Sequence, residues 1–312
     1  MTVLETIQRS CDFLSKKGVD SPRLQAELLL AHALKLPRMK LYLNFERQLS
    51  PAETEAMREF VKRRGQREPL QLIVGTTSFC GIEIVVNRSV LIPRPETELL
   101  AEEGWKFLNQ LSEGRVIRDP NQKSENYIGV SCNSPLRALD FGTGSGCLAI
   151  ALAVKCPGVE IFAVDTSAVA LEVAKQNAAR NKVVERIKFF QGDGLKSLLK
   201  WDSQYSSLRD MKFDLIISNP PYIPTAEIEK LQAEVRDFDP CGALDGGADG
   251  LDFYRRIAVE AKPFLKTDNK LMVEFGDGQS EAVRKIFEKE KWVVEAVRED
   301  YTRRPRILIA KL

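Results

Sequence analysis

The segment Phe213-Asp214-Leu215-Ile216-Ile217-Ser218 reads as a buried strand, and it runs directly into Asn219-Pro220-Pro221-Tyr222. Proline fixes φ and has no N–H, so two in succession make a rigid loop that offers carbonyls and withholds donors. The side-chain oxygen of Asn219 and a neighbouring carbonyl, that of Asn219 or Pro220, suit the two protons of an NH2 group. Tyr222 adds a flat ring against which a planar acceptor can pack. An amide nitrogen is a poor nucleophile because its lone pair is delocalised. Hydrogen bonds to both of its protons raise the electron density on nitrogen and aim it, and the rest is positioning for in-line transfer. No histidine base is required, because the proton leaves more readily once the nitrogen is alkylated.

A second turn supplies the other half of such a reaction. Leu139-Asp140-Phe141-Gly142-Thr143-Gly144-Ser145-Gly146 ends one strand pattern and opens a helix. Its G-x-G-x-G spacing differs from the G-x-G-x-x-G that cradles a pyrophosphate. Asp165 closes the next strand, in IFAVDTS, where a carboxylate can accept both hydroxyls of a ribose. Asp193 closes the third, in FFQGDG, placed to accept an adenine amino group. Either carboxylate could instead cap the helix that follows it. Three successive strand ends presenting suitable groups favour a nucleoside cofactor without a pyrophosphate, S-adenosylmethionine, which carries an electrophilic methyl.

These turns need a sheet to hold them. Candidate strands are Leu136–Asp140, Glu160–Val164, Ile187–Gln191, Phe213–Ser218, Lys270–Phe275, Val293–Arg298 and Ile307–Lys311, with helical patterns between the first six. That alternation predicts a mostly parallel sheet covered on both faces. The short turn around Asp300–Pro305 forces the last strand antiparallel. The fold class is therefore α/β, a Rossmann-like seven-stranded methyltransferase domain. Ahead of it, Ser21-Pro22 and Ser50-Pro51 read as an N-cap followed by Pro at the first helical position, in a small helical bundle that ends near Gly65. The stretch LQLIVGTTSFCGIEIVVNRSVLI is β-branched and broken at Gly81 and Asn87-Arg88. The expected organisation is residues 1–70 as a helical domain, 71–92 as a hairpin linker and 93–312 as the methyltransferase domain. Within the last, Ser112–Ser134 is polar and aperiodic and reads as a surface loop.

Composition narrows the field. With 46 basic and 44 acidic residues among 312, net +2, the chain lacks the basic excess of a protein that grips nucleic acid along many phosphates. Its six cysteines form no C-x-x-C pair and its one histidine, His32, lies in an apolar helical pattern, so no metal site and no Ser-His or Cys-His catalysis is expected. Asp245, Asp249 and Asp252 lack the EF-hand spacing, and read as a tight loop before an N-capped helix. The N-terminal residues have no signal-peptide pattern and no run approaches a membrane span, so a cytoplasmic protein is expected.

The sequence resembles the HemK-type N5-glutamine methyltransferases that modify peptide chain release factors. The resemblance covers nearly the whole chain, through FCGIEIVVNRSVLIPRPETELL, DFGTGSG, AVDTS, SNPPYIP, ALDGGADGLDFYRRI and EFGDGQSEAVRKIF. It implies that the acceptor is the glutamine of the Gly-Gly-Gln tip of a release factor and that the N-terminal bundle docks that protein. It also implies that Gly142 to Gly146, Asp165, Asp193-Gly194 and Asn219 line the S-adenosylmethionine site, and that Asn219 to Tyr222 hold the substrate glutamine. Gly194 stands where the family often carries a bulky aromatic beside adenine. The implied partner is thus a release factor, met by a monomer without direct nucleic-acid or membrane contact. A nucleic-acid amino-methyltransferase is the alternative enzyme, since base amino groups are also planar nitrogens, but such enzymes extrude a base and carry basic surfaces. A non-catalytic adaptor would not need an intact glycine turn, Asp165 and Asn219 together.

Overall fold

The computed structural model describes residues 1–116, 135–200 and 211–312. The chain divides into two compact units, one of Met1–Thr76, Val86–Arg88 and Lys230–Asp239, the other of Thr77–Val85, Ser89–Glu229 and Pro240–Leu312. The anticipated linker is therefore shared between them, its hairpin going mostly to the second.

The first unit is helical: α1 (Val3–Lys16), α2 (Pro22–Leu34), α3 (Arg38–Leu41), α4 (Pro51–Gly65) and α5 (Leu70–Val74). Ser50 caps α4 as its sequence predicts, in a reciprocal pair with Glu53, and Thr2 does the same with Glu5 for α1. Ser21 does not cap. It sits at φ 48° with no side-chain bond to the helix, and Pro22 alone sets the start of α2. Val3, Ile7, Leu29, Leu30, Met57 and Ile73 form the core. Arg64, 4% exposed, is held by Glu234 at 2.9 Å and by the carbonyl of Glu68 at 3.2 Å. Arg67 joins the same Glu234 carboxylate at 2.8 Å. A buried guanidinium needs such partners, and one of them comes from 170 residues downstream.

The second unit opens with the hairpin β1 (Thr76–Phe79) and β2 (Ile82–Val85). Its turn residues Cys80 and Gly81 both have positive φ, 52° and 76°, as the twist of a two-residue hairpin loop demands. There follow α6 (Pro95–Val116), β3 (Leu136–Phe141), α7 (Cys147–Lys155), β4 (Val159–Asp165), α8 (Ala168–Arg180), β5 (Ile187–Gln191) and β6 (Phe213–Ser218). After α9 (Ala233–Arg236), which belongs to the segment returning to the first unit, come α10 (Asp252–Glu260), β7 (Leu265–Glu274), α11 (Ser280–Lys289), β8 (Val293–Glu299) and β9 (Pro305–Lys311). The start of the expected polar loop is helical, because α6 runs through Ser112 to Val116, and residues 117–134 of that loop lie outside the described residues.

All seven expected strands form one sheet in the order β5-β4-β3-β6-β7-β9-β8. β9 inserts between β7 and β8, antiparallel to both, and the pairs β5–β4, β4–β3, β3–β6 and β6–β7 are parallel. β6 is buried along its whole length, which is why Leu215-Ile216-Ile217 is an apolar run rather than an alternation. The order reverses beside β3, whose chain continues to β4 on one side while β6 lies on the other. That switch point leaves a crevice at the carboxyl edge. Among the described residues no helix is long and apolar enough to cross a membrane.

The hairpin is tied to the glycine turn by one side chain. Asn177 of α8, fully buried, accepts from the Val85 N–H at 2.7 Å and donates to the carbonyls of Val85 at 3.0 Å and Ser145 at 2.9 Å. Removing it leaves the buried Ser145 carbonyl and the partly buried Val85 N–H and carbonyl without this partner, and an unpaired buried group costs about 1–3 kcal/mol. Asn177→Ala should therefore destabilise the protein by roughly 2–4 kcal/mol, to be read as a lowered denaturant midpoint. An unchanged midpoint would show that the clip carries no stability.

Candidate active site

The carboxyl ends of β3, β4, β5 and β6 open onto one cavity of about 390 Å³, within the usual span of small-molecule sites, about 300–1,000 Å³. β3 contributes Phe141, Gly142 and Gly144, and β4 contributes Asp165, Thr166 and Ser167. Gly192 and Asp193 follow β5, and Ser218, Asn219, Pro220 and Pro221 follow β6. The Ser218 hydroxyl donates to the Phe141 carbonyl at 2.6 Å, fixing the two inner strand ends to each other.

The three glycines of the turn do different work. Gly142 and Gly144 have φ of 76° and 53°, and a Cβ on either would meet nothing within 4 Å, so they leave open floor where a ligand can approach the backbone. Gly146 has a packing role, since a Cβ there would lie 3.0 Å from that of Ala174 on α8. Asp165 anchors the turn from β4. Its Oδ2 accepts from the Gly144 N–H at 2.8 Å and its Oδ1 from Ser167 N–H at 2.9 Å. Each oxygen keeps lone-pair capacity toward the cavity.

Beneath the turn, Asp140 is completely buried, and desolvation pushes its carboxyl up to about 7 despite bonds that favour its ionised form. Its Oδ2 accepts from the Thr143 hydroxyl at 2.6 Å and from Ala149 N–H at 3.1 Å, stitching the turn to the first turn of α7. Thr143 and Ser145, expected among the cofactor ligands, are 4% and 2% exposed and stand behind the cavity wall. They support the turn through Asp140 and Asn177 respectively.

Asp193 lies at the cavity mouth, its side chain 75% exposed and paired with Arg256 at 2.6 Å. Gly194 is not on the wall. Its φ of 81° suits glycine, and a Cβ there would press on the ends of the Arg256 and Glu260 side chains of α10. Phe253, also of α10, reaches the cavity instead, as do Ser89, Val90 and Leu91 after β2 and Pro240, Gly242 and Ala243. Sequence reading missed this second wall. The only signal was the adjacency of GLDFYRRI to the glycine-rich loop.

That loop holds the Asn-Pro-Pro-Tyr segment in place. Ile223 N–H donates to the Leu244 carbonyl and Gly246 N–H to the Ile223 carbonyl, at 3.0 and 2.9 Å. The Gln279 amide donates to the Tyr222 carbonyl at 2.9 Å. A Cβ at Gly246 would come within 2.9 Å of the Pro221 carbonyl, so the loop can approach only without one. Asp245, Asp249 and Asp252 are occupied by Thr225, Arg255 and backbone N–H groups. α10 begins after Leu251 with no side-chain cap, contrary to the N-capped start expected. Tyr222 turns away from the cavity. Its ring packs over Gly276 and against the core, and burial pushes its hydroxyl up to about 12. It anchors the loop rather than facing an acceptor.

Residues 5–75 match the family model described as the PrmC N-terminal domain, and residues 133–235 the one described as the methyltransferase small domain. The chain is 42% identical over 288 residues to the release factor glutamine methyltransferase of Geobacter sulfurreducens, covering 92% of this chain and 89% of that protein. It is 40% identical over 281 residues to the protein of the same name from Chlorobaculum tepidum, with 90% and 87% covered. This chain belongs to the release factor glutamine methyltransferase family. A bifunctional methyltransferase of Rickettsia conorii is 34% identical over 99% of this chain, which spans 57% of that longer protein. Among solved structures, the hMettl16 catalytic domain in complex with MAT2A 3'UTR hairpin 1 superposes with a TM-score of 0.50 at 17% identity, covering 81% of this chain and 80% of that one. The likeness shows the shared fold.

The cofactor of the family is S-adenosylmethionine, and the cavity fits it. Gly142 and Gly144 leave the floor open, and Asp165 offers acceptors at the end of the adjacent strand. Hydrogen bonds to a charged carboxylate contribute about 1.5–3 kcal/mol each. Asp165→Ala should weaken S-adenosylmethionine binding by about tenfold or more, measured by calorimetric titration. Unchanged affinity in the folded variant would remove Asp165 from the site.

Proposed function

We propose that this protein transfers a methyl group from S-adenosylmethionine to the side-chain amide nitrogen, N5, of the glutamine in the Gly-Gly-Gln motif of a peptide chain release factor. The observation that carries the reading is the position of Asn219, Pro220 and Pro221 on the wall of the cavity that also holds the glycine turn and Asp165. Gly142, Gly144, Asp165 and the mouth carboxylate Asp193 would hold the cofactor, whose sulfonium supplies the electrophilic methyl when bound. The Asn219 Oδ1 and a neighbouring backbone carbonyl, that of Asn219 or Pro220, accept the two protons of the acceptor amide. With no N–H on Pro220 or Pro221 to compete, the loop presents acceptors only. Tyr222, partly buried over Gly276, keeps that loop from shifting. Phe253 and Pro240 complete the opposite wall with apolar surface.

The same reading assigns the helical first unit to docking the release factor, and the protein works as a cytoplasmic monomer without direct contact to nucleic acid. The support for docking is a pair of large apolar side chains four residues apart on that unit, Met39 and Leu43, which are 67% and 76% exposed. Replacing both by Asp should raise KM for the release factor by about tenfold, equivalent to about 1.4 kcal/mol, with cofactor affinity unchanged. An unaltered KM would dissociate this pair from docking.

Asn219→Ala tests the reaction site. It removes one acceptor from the acceptor amide, and kcat should fall by roughly 10²-fold or more, the effect of losing one positioned polar group in other active sites. Cofactor affinity should change little. Single-turnover methylation of purified release factor, with the modified residue located by mass spectrometry, measures both points. Near-normal turnover would exclude the Asn-Pro-Pro-Tyr loop as the reaction site.

A further inference from the structure

An asparagine amide can serve as an acceptor only if its oxygen, and not its nitrogen, faces the substrate. Nothing in the covalent structure of Asn219 decides this, since the two ends of an amide have nearly the same shape. Its surroundings do decide it. Asn219 Nδ2 donates to the Thr97 hydroxyl oxygen at 3.0 Å. Behind both lies the Glu274 carboxylate at the end of β7, which receives hydrogen bonds from the Thr97 hydroxyl and the Asn219 amide. Thr97 and Glu274 are each 2% exposed. An ionised carboxylate has no proton to give. It therefore takes the Thr97 proton, turns a Thr97 lone pair toward Asn219, and accepts from the same amide. The opposite orientation would set the Asn219 oxygen against a buried anion and present an NH2 group to the acceptor amide, donor against donor.

We propose that Thr97 and Glu274 are positioning residues that lock the Asn219 amide with its nitrogen turned into the protein and its oxygen turned to the acceptor. The proposal rests on the reading of Asn219 given above. It also accounts for the Pro-Arg-Pro-Glu-Thr-Glu segment, which that reading left without a role. Thr97 stands in the first turn of α6, its N–H bonded to the Arg94 carbonyl at 3.1 Å. One residue on, Glu98 accepts from the Cys80 N–H at 2.9 Å, holding the hairpin turn. The segment thus braces both Asn219 and the hairpin turn.

Burial pushes the Glu274 carboxyl up to about 7, the Thr97 and Asn219 bonds opposing the shift. The charged and titratable groups that bear on it are Glu96 on α6, Arg306 on β9, Tyr222 on the reaction loop and Tyr254 on α10. The Tyr254 hydroxyl donates to the Glu274 backbone carbonyl at 3.0 Å. Above about 7 the carboxylate enforces the orientation, and below it a protonated Glu274 can donate and the amide is free to turn. The single-turnover rate should therefore rise with pH through about 7.

The test uses the full-length enzyme, saturating S-adenosylmethionine and intact release factor. Thr97→Val, of nearly equal shape but without the hydroxyl, should lower the single-turnover rate at least tenfold. KM for the release factor and affinity for the cofactor should stay within twofold. Thr97→Ser should restore the rate to within about threefold of the parent. In the Asn219→Ala background Thr97→Val should cost nothing further, because there is no amide left to orient. A normal rate in Thr97→Val beside a strongly impaired Asn219→Ala would overturn the positioning role and leave the reaction site intact. A normal rate in Asn219→Ala would instead remove the reaction site itself. Additive losses would mean that Thr97 acts independently of Asn219, and would also overturn the proposal. Should Thr97→Val not fold, Glu274→Gln decides: it should flatten the pH profile between 6 and 8, and a profile that keeps its full rise would refute the role of Glu274.

Discussion

Parallel pairing of β3 with β4 on one side and β6 on the other is the constraint from which the rest of this molecule follows. Each pairing is set by buried, largely apolar runs that can be satisfied only in the interior of a covered sheet. Because the chain passes from β3 to β4 and β5 on one side and then crosses to β6 on the other, the loops after these strands part at their carboxyl ends. The Gly142–Gly146 turn, Asp165 and Asn219 come together there although they are spread over nearly eighty residues of sequence. The Ser218–Phe141 bond sets how far the two inner ends can separate.

Around that crevice the molecule accepts several buried polar groups that a core designed for stability alone would avoid. Asp140 and Glu274 each have a carboxyl oxygen that is buried without a hydrogen-bond partner among the described residues, and burial lifts both carboxyls to about 7. Both lie directly behind loops that face the cavity. Asp140 ties the glycine turn to α7, and Glu274 lies behind Asn219 and Thr97. Asn177 does comparable work without a charge, joining α8, the hairpin and the glycine turn. Desolvation of such groups is unfavourable, and they are tolerated where orientation of a neighbour matters more than the lost stability.

The glycine-rich loop from Gly246 to Gly250 illustrates a subtler dependence. It makes no appeal as a chemical motif, yet its bare backbone lets it lie against Pro221 and Tyr222. The reaction loop is rigid at its prolines but would be free to swing as a unit. Backbone bonds from Ile223 to the 244–246 segment, with Gln279 on the Tyr222 carbonyl, remove that freedom.

The strand count, the antiparallel last strand and the two cavity-facing turns were legible in the sequence, because periodicity, glycine spacing and a proline pair act locally. Asp165 was legible for the same reason, as the residue that closes a strand. Which members of a motif face the ligand was not. Thr143, Ser145, Gly194 and Tyr222 share their motifs with Gly144, Asp193 and Asn219, and only packing against Asp140, Asn177, α10 and Gly276 turns them inward. The second wall, with Phe253 and Pro240, and the partition that gives residues 230–239 to the helical unit depend on contacts across more than a hundred residues. The orientation of the Asn219 amide is decided last of all, by a threonine and a glutamate that lie far away in the chain and meet only when α6 and β7 have folded beside β6.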